Sequence, residues 1–391
     1  MIDYEFELYC CGCKACSAAC PVNTIKMIED KNGFEFPQVD KEKCINCGKC
    51  NKVCPHYHGI KKNKPEDVSA WLYCSDDTAA KKRSSSGGAF FELAKQTLSK
   101  GGYVCGCEWD DSLVARHTIS NSEEDLQKMQ GSKYVQSNLG DIYQKVLSVL
   151  KEGKEVLFSG TPCQITAMHN YISNSGNGAL RERLINVAVI CHGISAPGVW
   201  ESYKVWLENK YNSKLIAVNF RDKSKDGYKK SNCRYEFASG EIIYLPTYLP
   251  SSKYIEAALV YNLSLRNSCS HCDCKGITET CDIILGDWYA EHEGEGSLGT
   301  SCIAAFTEKG EKIVSTRLLG LRPLSYSKIV QENEFIENSV TMGLRHDEFL
   351  QKHNVEIWDK VETYFPTKYK VKKLFILLGI YSLFKKIKTL I

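Results

Sequence analysis

The sequence lacks a large net charge of either sign and lacks a recognisable secretory leader. Each absence argues against one class of protein. Its 50 lysines and arginines nearly balance its 47 aspartates and glutamates, which leaves a formal net charge of +3. Nucleic-acid binding depends on positive charge that faces phosphates, so the composition predicts no nucleic-acid partner. The first residues are acidic with no apolar stretch behind them, which predicts a cytoplasmic protein.

Cysteine, in contrast, is abundant, with 20 in a chain of 391 residues. Disulfide scaffolds are small secreted domains, and this chain has room for two or three domains. Thiols that are grouped at metal-ligand spacing in a reducing compartment favour metal binding instead.

Two groups of four cysteines share the spacing Cys-x2-Cys-x2-Cys-x3-Cys, and each is followed by a proline, Pro21 or Pro55. The members are Cys10, Cys13, Cys16 and Cys20, then Cys44, Cys47, Cys50 and Cys54. Bacterial two-cluster ferredoxins have this spacing, and the fourth cysteine of each group binds the other cluster. We therefore expect a ferredoxin-type domain with two 4Fe-4S clusters at residues 1–62. Cys11 lies between predicted ligands and should be dispensable.

After a lysine-rich linker at residues 59–65, the chain predicts a mixed α/β body. Strand-like runs alternate with amphipathic helices. The runs lie at residues 68–73, 103–107, 155–160, 184–191, 215–220, 235–237 and 282–286, and the helices at 89–99, 141–150 and 199–209. We divide the body into residues 68–150 and 151–325, followed by a helical, lysine-rich tail at 326–391. The fold class is α+β: a small ferredoxin-like domain, the body and the tail.

A glycine turn and a group of cysteines are the candidate sites of the body. Ser86-Gly87-Gly88 precedes a predicted helix, whose N-terminus suits a phosphate, although most such turns are only turns. Cys163 opens another helix, where the helix dipole favours a thiolate, and Cys191 ends a strand.

Two metal sites fit the later cysteines. The set Cys269, Cys272, Cys274 and Cys281 could form a closed zinc site. Alternatively, Cys163 and Cys191 complete Cys269 and Cys272 into a third 4Fe-4S site. Spacing alone leaves both alternatives open.

The end of the chain, residues 370–391, alternates lysines with apolar residues and is too short and too charged to span a bilayer. A basic amphipathic helix at the inner membrane face is one interpretation. A terminal helix that packs on the body or on a partner is the other.

Several motifs, in this order, resemble a known family, the coenzyme F-420 hydrogenase/dehydrogenase beta-subunit proteins, preceded by a 4Fe-4S ferredoxin domain. The matching stretches include Ser85-Ser86-Gly87-Gly88-Ala89, Gly160-Thr161-Pro162-Cys163-Gln164 and Cys191-His192-Gly193. The others lie at residues 131–137, 156–159, 220–223, 265–272 and 282–288. Together they extend over roughly residues 5–320.

The resemblance implies an FAD in the body and a further 4Fe-4S cluster on Cys163, Cys191, Cys269 and Cys272. The flavin contacts that it implies are Ser86, Gly87, Gly88, Gly131, Ser132, Lys133, Tyr134, Gln136, Ser137 and Thr161. The family's deazaflavin is confined to certain organisms, fused relatives occur among bacterial surface-polysaccharide genes, and one plant relative reduces a chlorophyll derivative. The substrate therefore does not follow from the family name.

These features predict an iron–sulfur flavoprotein oxidoreductase. It would join a small-molecule hydride donor or acceptor, deazaflavin-like or other, to a one-electron carrier such as ferredoxin or a partner oxidoreductase subunit. One alternative is a non-catalytic electron-transfer subunit of a larger complex, serving surface-polysaccharide synthesis. Another is a zinc-stabilised binding protein that has lost the flavin. The sequence assigns no catalytic residue.

Overall fold

The computed structural model describes residues 2, 5–58, 60, 68–176, 178–247, 252–290 and 297–367. The lysine-rich helix predicted for residues 370–391 lies outside the described residues, and so does most of the predicted linker. No helix within these ranges is long and apolar enough to cross a bilayer.

The elements are given in chain order. The strands are β1 (Ile25–Glu29), β2 (Glu35–Val39), β3 (Ser69–Tyr73), β4 (Tyr103–Trp109), β5 (Ala115–Ser120), β6 (Val156–Gly160), β7 (Leu184–Val189), β8 (Leu215–Asp222), β9 (Asn232–Phe237), β10 (Ile242–Pro246), β11 (Ile283–Trp288), β12 (Thr300–Ala305) and β13 (Arg322–Leu324). The helices are α1 (Phe6–Tyr9), α2 (Ala15–Ala18), α3 (Lys49–Val53), α4 (Pro55–His58), α5 (Thr78–Arg83), α6 (Ala89–Ser99), α7 (Glu123–Met129), α8 (Ile142–Lys151), α9 (Pro162–Ser173), α10 (Pro197–Tyr211), α11 (Lys253–Ile255), α12 (Glu308–Arg317), α13 (Tyr326–Glu332), α14 (His346–Lys352) and α15 (Ile357–Lys360). Short 3₁₀ segments lie at Gly178–Arg183, Asn267–His271, Glu334–Ile336 and Val361–Tyr364, and a π-turn at Glu256–Val260.

The N-terminal region is a two-stranded ribbon with short helices beside it. β1 and β2 pair antiparallel with Met27 opposite Pro37. Gly33 makes the turn between them with a φ of +81°, a conformation that glycine adopts without strain. The small ferredoxin-like region that the sequence predicted is confirmed.

A mixed sheet forms the centre of the body. Among the described residues, eight strands make this sheet, in the order β13-β3-β12-β11-β7-β6-β4-β5. The four strands β11, β7, β6 and β4 are parallel neighbours, and the strands towards both edges pair antiparallel. Strands from residues 68–150 and from residues 151–325 therefore share one sheet.

Side chains along the central strands alternate between two helical layers. In β6, Val156 and Phe158 pack in one core with α8 and α9, whereas Leu157 packs in the other core with α6 and α12. Every residue of β6 is buried, because helices cover both faces of the sheet. The apolar run that predicted a buried strand thus lies between two helical layers.

A separate core lies beside the main sheet and its two helical layers. β8, β9 and β10 form a small antiparallel sheet, and Phe220 of β8 packs against Trp200 of α10. The C-terminal helices close the same core: Trp358 is fully buried, and its indole nitrogen donates to Ser202 Oγ at 3.0 Å. The described part of the predicted tail is largely helical: α13 packs in the core of the main sheet through Tyr326 and Ile329, whereas α14 and α15 pack in this core.

One buried arginine joins the N-terminal region to the body. The Arg266 guanidinium is 2 % exposed and donates to the backbone carbonyls of Cys10 and Glu35 and to Gln136 Oε1. It also lies over the Phe36 ring, 4.3 Å from the ring centroid. All five N–H groups of arginine lie in one plane, so a single side chain can bind several acceptors of this kind.

The contact around Arg266 leaves no space for a side chain at Gly12. Gln136 Nε2 donates to the Cys11 carbonyl at 3.1 Å. A Cβ atom at Gly12, whose φ is +68°, would lie 2.5 Å from Gln136 Nε2 and 2.7 Å from Arg266 Nη1. Tyr143 adds a hydrogen bond of 2.7 Å from its hydroxyl to the Cys13 carbonyl.

We expect Arg266→Met to destabilise the protein by about 2–5 kcal/mol, because buried carbonyls without a donor cost about 1–3 kcal/mol each. Anaerobic urea unfolding measures this loss. Arg116→Met is the matched control, since Arg116 is 47 % exposed and paired with Asp110, and it should cost less than about 1 kcal/mol. Equal losses in the two variants would contradict the role given to Arg266.

Candidate functional site

The two cysteine groups line two small cavities in the N-terminal region. The fourth cysteine of each group lies in the cavity of the other group. Cys10, Cys13 and Cys16 line the first cavity together with Cys54 of the second group. Cys44, Cys47 and Cys50 line the second cavity together with Cys20 of the first group. Each cavity therefore gathers four predicted ligand thiols, in the pairing that the ferredoxin spacing predicted, and Cys11 adds a fifth thiol to the first cavity.

The two cavities differ in their distance from solvent. Cys10, Cys13, Cys16 and Cys54 are all buried, whereas Cys47 is exposed. Ile45, beside Cys47 in the second cavity, is 60 % exposed. The two cavities adjoin through a small core in which Cys16 and Cys50 pack with Ile25.

Backbone N–H groups point at several of these sulfur atoms. Gly12 donates to Cys10 Sγ, Thr24 to Cys20 Sγ, and Ile194 to Cys269 Sγ, each at 3.4 Å. Hydrogen bonds of this kind stabilise thiolates and tune the clusters that they bind.

A third cavity, which we call the body cavity, lies where the N-terminal region meets the body. It is lined by Cys163, Cys269 and Cys272 and also by Cys11 and Cys274. Cys191, which follows β7, is close enough to Cys269, Cys163 and Cys272 to interact electrostatically with them. The four cysteines that the family resemblance implied are thus brought together from three separate segments.

The local zinc set is not assembled. Cys281 packs in the core of the main sheet, and its thiol donates to the Ile283 carbonyl at 3.2 Å. In the described ranges, no three side chains of His, Cys, Asp or Glu are gathered closely enough to hold a single metal ion.

Burial and crowding raise the pKa of most thiols around the body cavity, whereas hydrogen bonds with Cys274 lower the pKa of Cys272 to about 7. A hydrogen bond with Cys11, together with burial, raises the pKa of Cys163 well above its usual value. Burial and the neighbouring Cys269 do the same to the pKa of Cys191. The helix N-terminus was expected to favour the Cys163 thiolate, but desolvation and neighbouring sulfurs outweigh it. Only a cationic group in the cavity would let these thiols ionise together.

The fourth cavity, the large cavity, has a volume of about 560 Å³, which is within the usual range for small-molecule sites. It opens at the carboxyl ends of the parallel strands, next to Gly160 of β6, Val189 of β7 and Asp287 of β11. Ligands of α/β sheets bind at this edge. Cys191 lines the large cavity, so this cavity is next to the body cavity.

Eight of the ten predicted flavin contacts line the large cavity. They are Ser86, Gly88, Gly131, Ser132, Lys133, Tyr134, Ser137 and Thr161. The two segments that carry most of them are bound together, since the Ser132 amide donates to Ser85 Oγ at 2.8 Å. Gly88 caps the N-terminus of α6 with a φ of +92°.

Gly87 and Gln136 have other positions, which corrects their assignment. A Cβ atom at Gly87 would lie 2.4 Å from the Tyr73 carbonyl oxygen and 2.6 Å from the Ser301 amide, so this glycine lets the turn pack on the sheet. Gln136 points to Cys11 and Arg266 in the contact between the N-terminal region and the body. Neither residue meets the large cavity, so a substitution at Gly87 would test packing rather than ligand binding.

Two buried lysines make the turn at residues 84–88 electropositive. Lys133 Nζ donates to the Gln130 carbonyl at 2.8 Å, and burial lowers its pKa to about 8. Lys223 Nζ donates to the Ser86 carbonyl at 2.8 Å, and burial lowers its pKa to about 7. A lowered lysine pKa means that the charged form lacks a partner, and an anion in the cavity would supply one.

Other wall residues were not predicted. His117 Nε2 donates to the Ser159 carbonyl at 3.0 Å, Nδ1 is buried with no partner among the described residues, and burial lowers the His117 pKa to about 4. Arg221 and Asp287 form an ion pair of 2.7 Å on the same wall. They lie in matched motifs, but no role had been given to them, and β5, which carries His117, had no signal in the sequence.

The segment after α13 forms another part of the wall, with Glu332, Asn333, Glu334 and Phe335. Asn333 Nδ2 donates to the Asp287 carbonyl at 3.0 Å, and Phe335 packs edge-on against His192. No pattern in the sequence indicated a site here, because this region had only been predicted as helical.

Comparisons with known proteins agree with this architecture. Residues 153–319 match the family described as the C terminus of the coenzyme F420 hydrogenase/dehydrogenase beta subunit, and residues 9–57 match the 4Fe-4S dicluster domain. An uncharacterized protein of Methanocaldococcus jannaschii is 25% identical over 272 residues, which is 58% of this chain and 75% of that protein.

The dicluster region has relatives in larger redox complexes. The B subunit of the Na(+)-translocating ferredoxin:NAD(+) oxidoreductase complex of Acetobacterium woodii is 46% identical over 46 residues. The B subunit of an ion-translocating oxidoreductase complex of Methanosarcina acetivorans is 39% identical over 49 residues. Each match spans 12% of this chain, and 13% and 17% of these relatives.

A solved structure resembles the chain more loosely. A chain from the F420-reducing [NiFe] hydrogenase complex of Methanosarcina barkeri aligns with a TM-score of 0.45 at 15% identity, over 77% of this chain and 92% of that chain. The two family matches confirm the resemblance that the motifs indicated. Residues 153–319 thus match the coenzyme F420 hydrogenase/dehydrogenase beta-subunit family, and residues 9–57 match a 4Fe-4S dicluster domain.

Proposed function

We propose that this protein is an iron–sulfur flavoprotein oxidoreductase that passes electrons between a hydride donor or acceptor and a one-electron protein partner. The observation that carries the proposal is the succession of cavities. The second cavity is at the surface, the first cavity adjoins it, the body cavity follows, and Cys191 lies between the body cavity and the large cavity.

The three thiol-lined cavities suit three 4Fe-4S clusters. The first two would be held by the exchanged cysteine groups, and the third by Cys163, Cys191, Cys269 and Cys272. Each set supplies four sulfur ligands, and the raised thiol pKa values fit sites that become favourable only with cationic iron. Exposed Ile45 and Cys47 give a redox protein access to the outermost site.

The large cavity suits an FAD. Bound FAD can exchange two electrons as a hydride with a small molecule and single electrons with a cluster. The N-terminus of α6 after Gly88 and the lysines Lys133 and Lys223 offer positive charge for its pyrophosphate. The hydroxyls of Ser86, Ser132 and Ser137 provide further polar contacts.

The remaining wall residues would orient a substrate and keep water out. The Arg221–Asp287 pair keeps two opposite charges partly buried at the rim, where they can recognise a polar substrate group. Neutral His117 offers Nδ1 as a hydrogen-bond acceptor, because Nε2 carries the proton that it donates to Ser159. The pairing of Phe335 with His192 closes the side next to Cys191.

The proposal is tested on anaerobically purified protein by its visible spectrum and by turnover with reduced deazaflavin or NADH in the absence of any other protein. Flavin and iron–sulfur absorption with turnover supports it. Absorption without turnover would indicate an electron-transfer subunit whose substrate site is on a partner chain. A colourless protein would refute the proposal.

Iron content is a quantitative check. Three 4Fe-4S clusters require about twelve irons per chain, and Cys269→Ser should lower this to about eight because it removes a ligand of the body cluster. Cys105→Ser is the control, because Cys105 is buried in the main sheet. This variant should keep about twelve irons per chain. Metal analysis of reconstituted samples decides. About eight irons in the unsubstituted protein would refute the body cluster.

The exchanged ligands give a second check. Because Cys20 lines the second cavity, Cys20→Ser should change the electron paramagnetic resonance signal of the cluster on Cys44, Cys47 and Cys50. Cys54→Ser should instead change the signal of the cluster on Cys10, Cys13 and Cys16. If each substitution perturbed the cluster of its own group, the exchange would be refuted.

FAD affinity should fall as the pH rises. The pKa of Lys223 is about 7 and that of Lys133 about 8, so unliganded protein loses positive charge between pH 6.5 and pH 9. An anion favours the charged lysines, so binding takes up protons, and we expect at least about tenfold weaker binding at pH 9. Fluorescence titration of FAD measures this. Lys223→Met should flatten the profile, whereas exposed Lys145→Met should not; unchanged profiles in both would contradict the assignment.

A further inference from the structure

Cys11 belongs to neither exchanged cysteine group, yet it lies between two of the thiol-lined cavities. It lines the first cavity and also the body cavity. Tyr9 and His56, stacked with their ring centroids 4.5 Å apart, line both cavities as well. The wall between the two cavities is therefore thin, and Cys11 supplies a thiol within it.

The Cys11 thiol is within hydrogen-bonding reach of one predicted ligand on each side. Its partners are Cys13, which lines the first cavity, and Cys163, which lines the body cavity. A thiol has one S–H donor, so Cys11 can donate to only one of these two sulfurs at a time.

The position of Cys11 is fixed by its backbone. Its carbonyl accepts the hydrogen bond from Gln136 Nε2, and Gln136 Oε1 accepts from Arg266 at 3.0 Å. The absence of a side chain at Gly12 lets both of these groups approach closely. The contact that holds the N-terminal region on the body therefore also holds the Cys11 thiol between the two cavities.

We propose that the Cys11 S–H is a hydrogen-bond donor shared by the cluster of the first cavity and the cluster of the body cavity. This inference rests on the proposed function, since it requires both clusters. A hydrogen bond to a ligand sulfur offsets the negative charge of the reduced cluster and raises its reduction potential. The single donor can turn to the sulfur of whichever cluster carries the extra electron.

The accompanying redox step is a one-electron transfer. A cluster held by the thiols of the first cavity and one held by the thiols of the body cavity would exchange a single electron, which one would lose and the other would gain. The proton stays on Cys11 Sγ, and only the acceptor of its hydrogen bond changes from one ligand sulfur to the other. Cys11 is thus a positioning residue and not a ligand, and it should not be dispensable.

Spectroelectrochemical titration followed by electron paramagnetic resonance tests the inference. In Cys11→Ala, the reduction potentials of both clusters should become more negative. We expect a shift of about 59 mV in each, which is about a tenfold change in the redox equilibrium of a one-electron couple. Cys11→Ser keeps a donor and should recover part of both shifts. Cys274→Ala is the matched control, because Cys274 lines only the body cavity, where it hydrogen-bonds Cys272. It should shift the potential of the body cluster alone.

The outcomes separate this inference from the proposed function. Shifts of both potentials in Cys11→Ala and of one in Cys274→Ala support the shared donor. About twelve irons with unmoved potentials in Cys11→Ala refute the inference alone. A loss of about four irons in Cys11→Ala also refutes it, because Cys11 would then be a ligand. About eight irons in the unsubstituted protein refute the body cluster of the proposed function, and the inference with it.

Discussion

The burial of Arg266 between the N-terminal region and the body is the interaction on which the rest of the arrangement depends. An unpaired buried guanidinium would be prohibitively costly, and here acceptors from both parts surround it. Arg266 is three residues before Cys269, so the segment that holds the N-terminal region also carries a thiol of the body cavity.

The crowding of thiols in each cavity limits what the protein can bind. Two like charges 4 Å apart repel each other by roughly 4 kcal/mol in a protein-like environment, so the thiols of one cavity cannot all ionise without added positive charge. Burial adds to this cost at Cys16, Cys163 and Cys191, whose pKa values are raised. Two 4Fe-4S clusters of the matched dicluster domain would supply this positive charge in the first two cavities. The same electrostatics make hydrogen bonds to these sulfurs effective regulators of potential.

The large cavity depends on the central sheet in a different way. Parallel strands end at one edge, and the loops there supply hydroxyls and Lys133 to the wall, while buried Lys223 binds the Ser86 carbonyl. The segment at residues 332–335 completes the wall from outside the matched family region, which ends at residue 319. The wall segments at residues 84–90 and 129–137 also lie outside that region, whereas Thr161, Cys191 and Asp287 lie inside it.

The sequence by itself determined the elements whose signals are local. Metal-ligand spacing is written in a few consecutive residues, so both cysteine groups and their exchange could be predicted directly, as could the central strands from their continuous apolar runs.

Only the tertiary structure decided what distant segments do together. It excluded Cys281 from the body cavity, turned Gln136 towards Arg266, and packed Gly87 against the sheet. It also brought His117 and residues 332–335 to the cavity wall. The physical reason is that periodicity and spacing encode which face of an element is buried, whereas the partner it meets depends on packing between segments far apart in the chain.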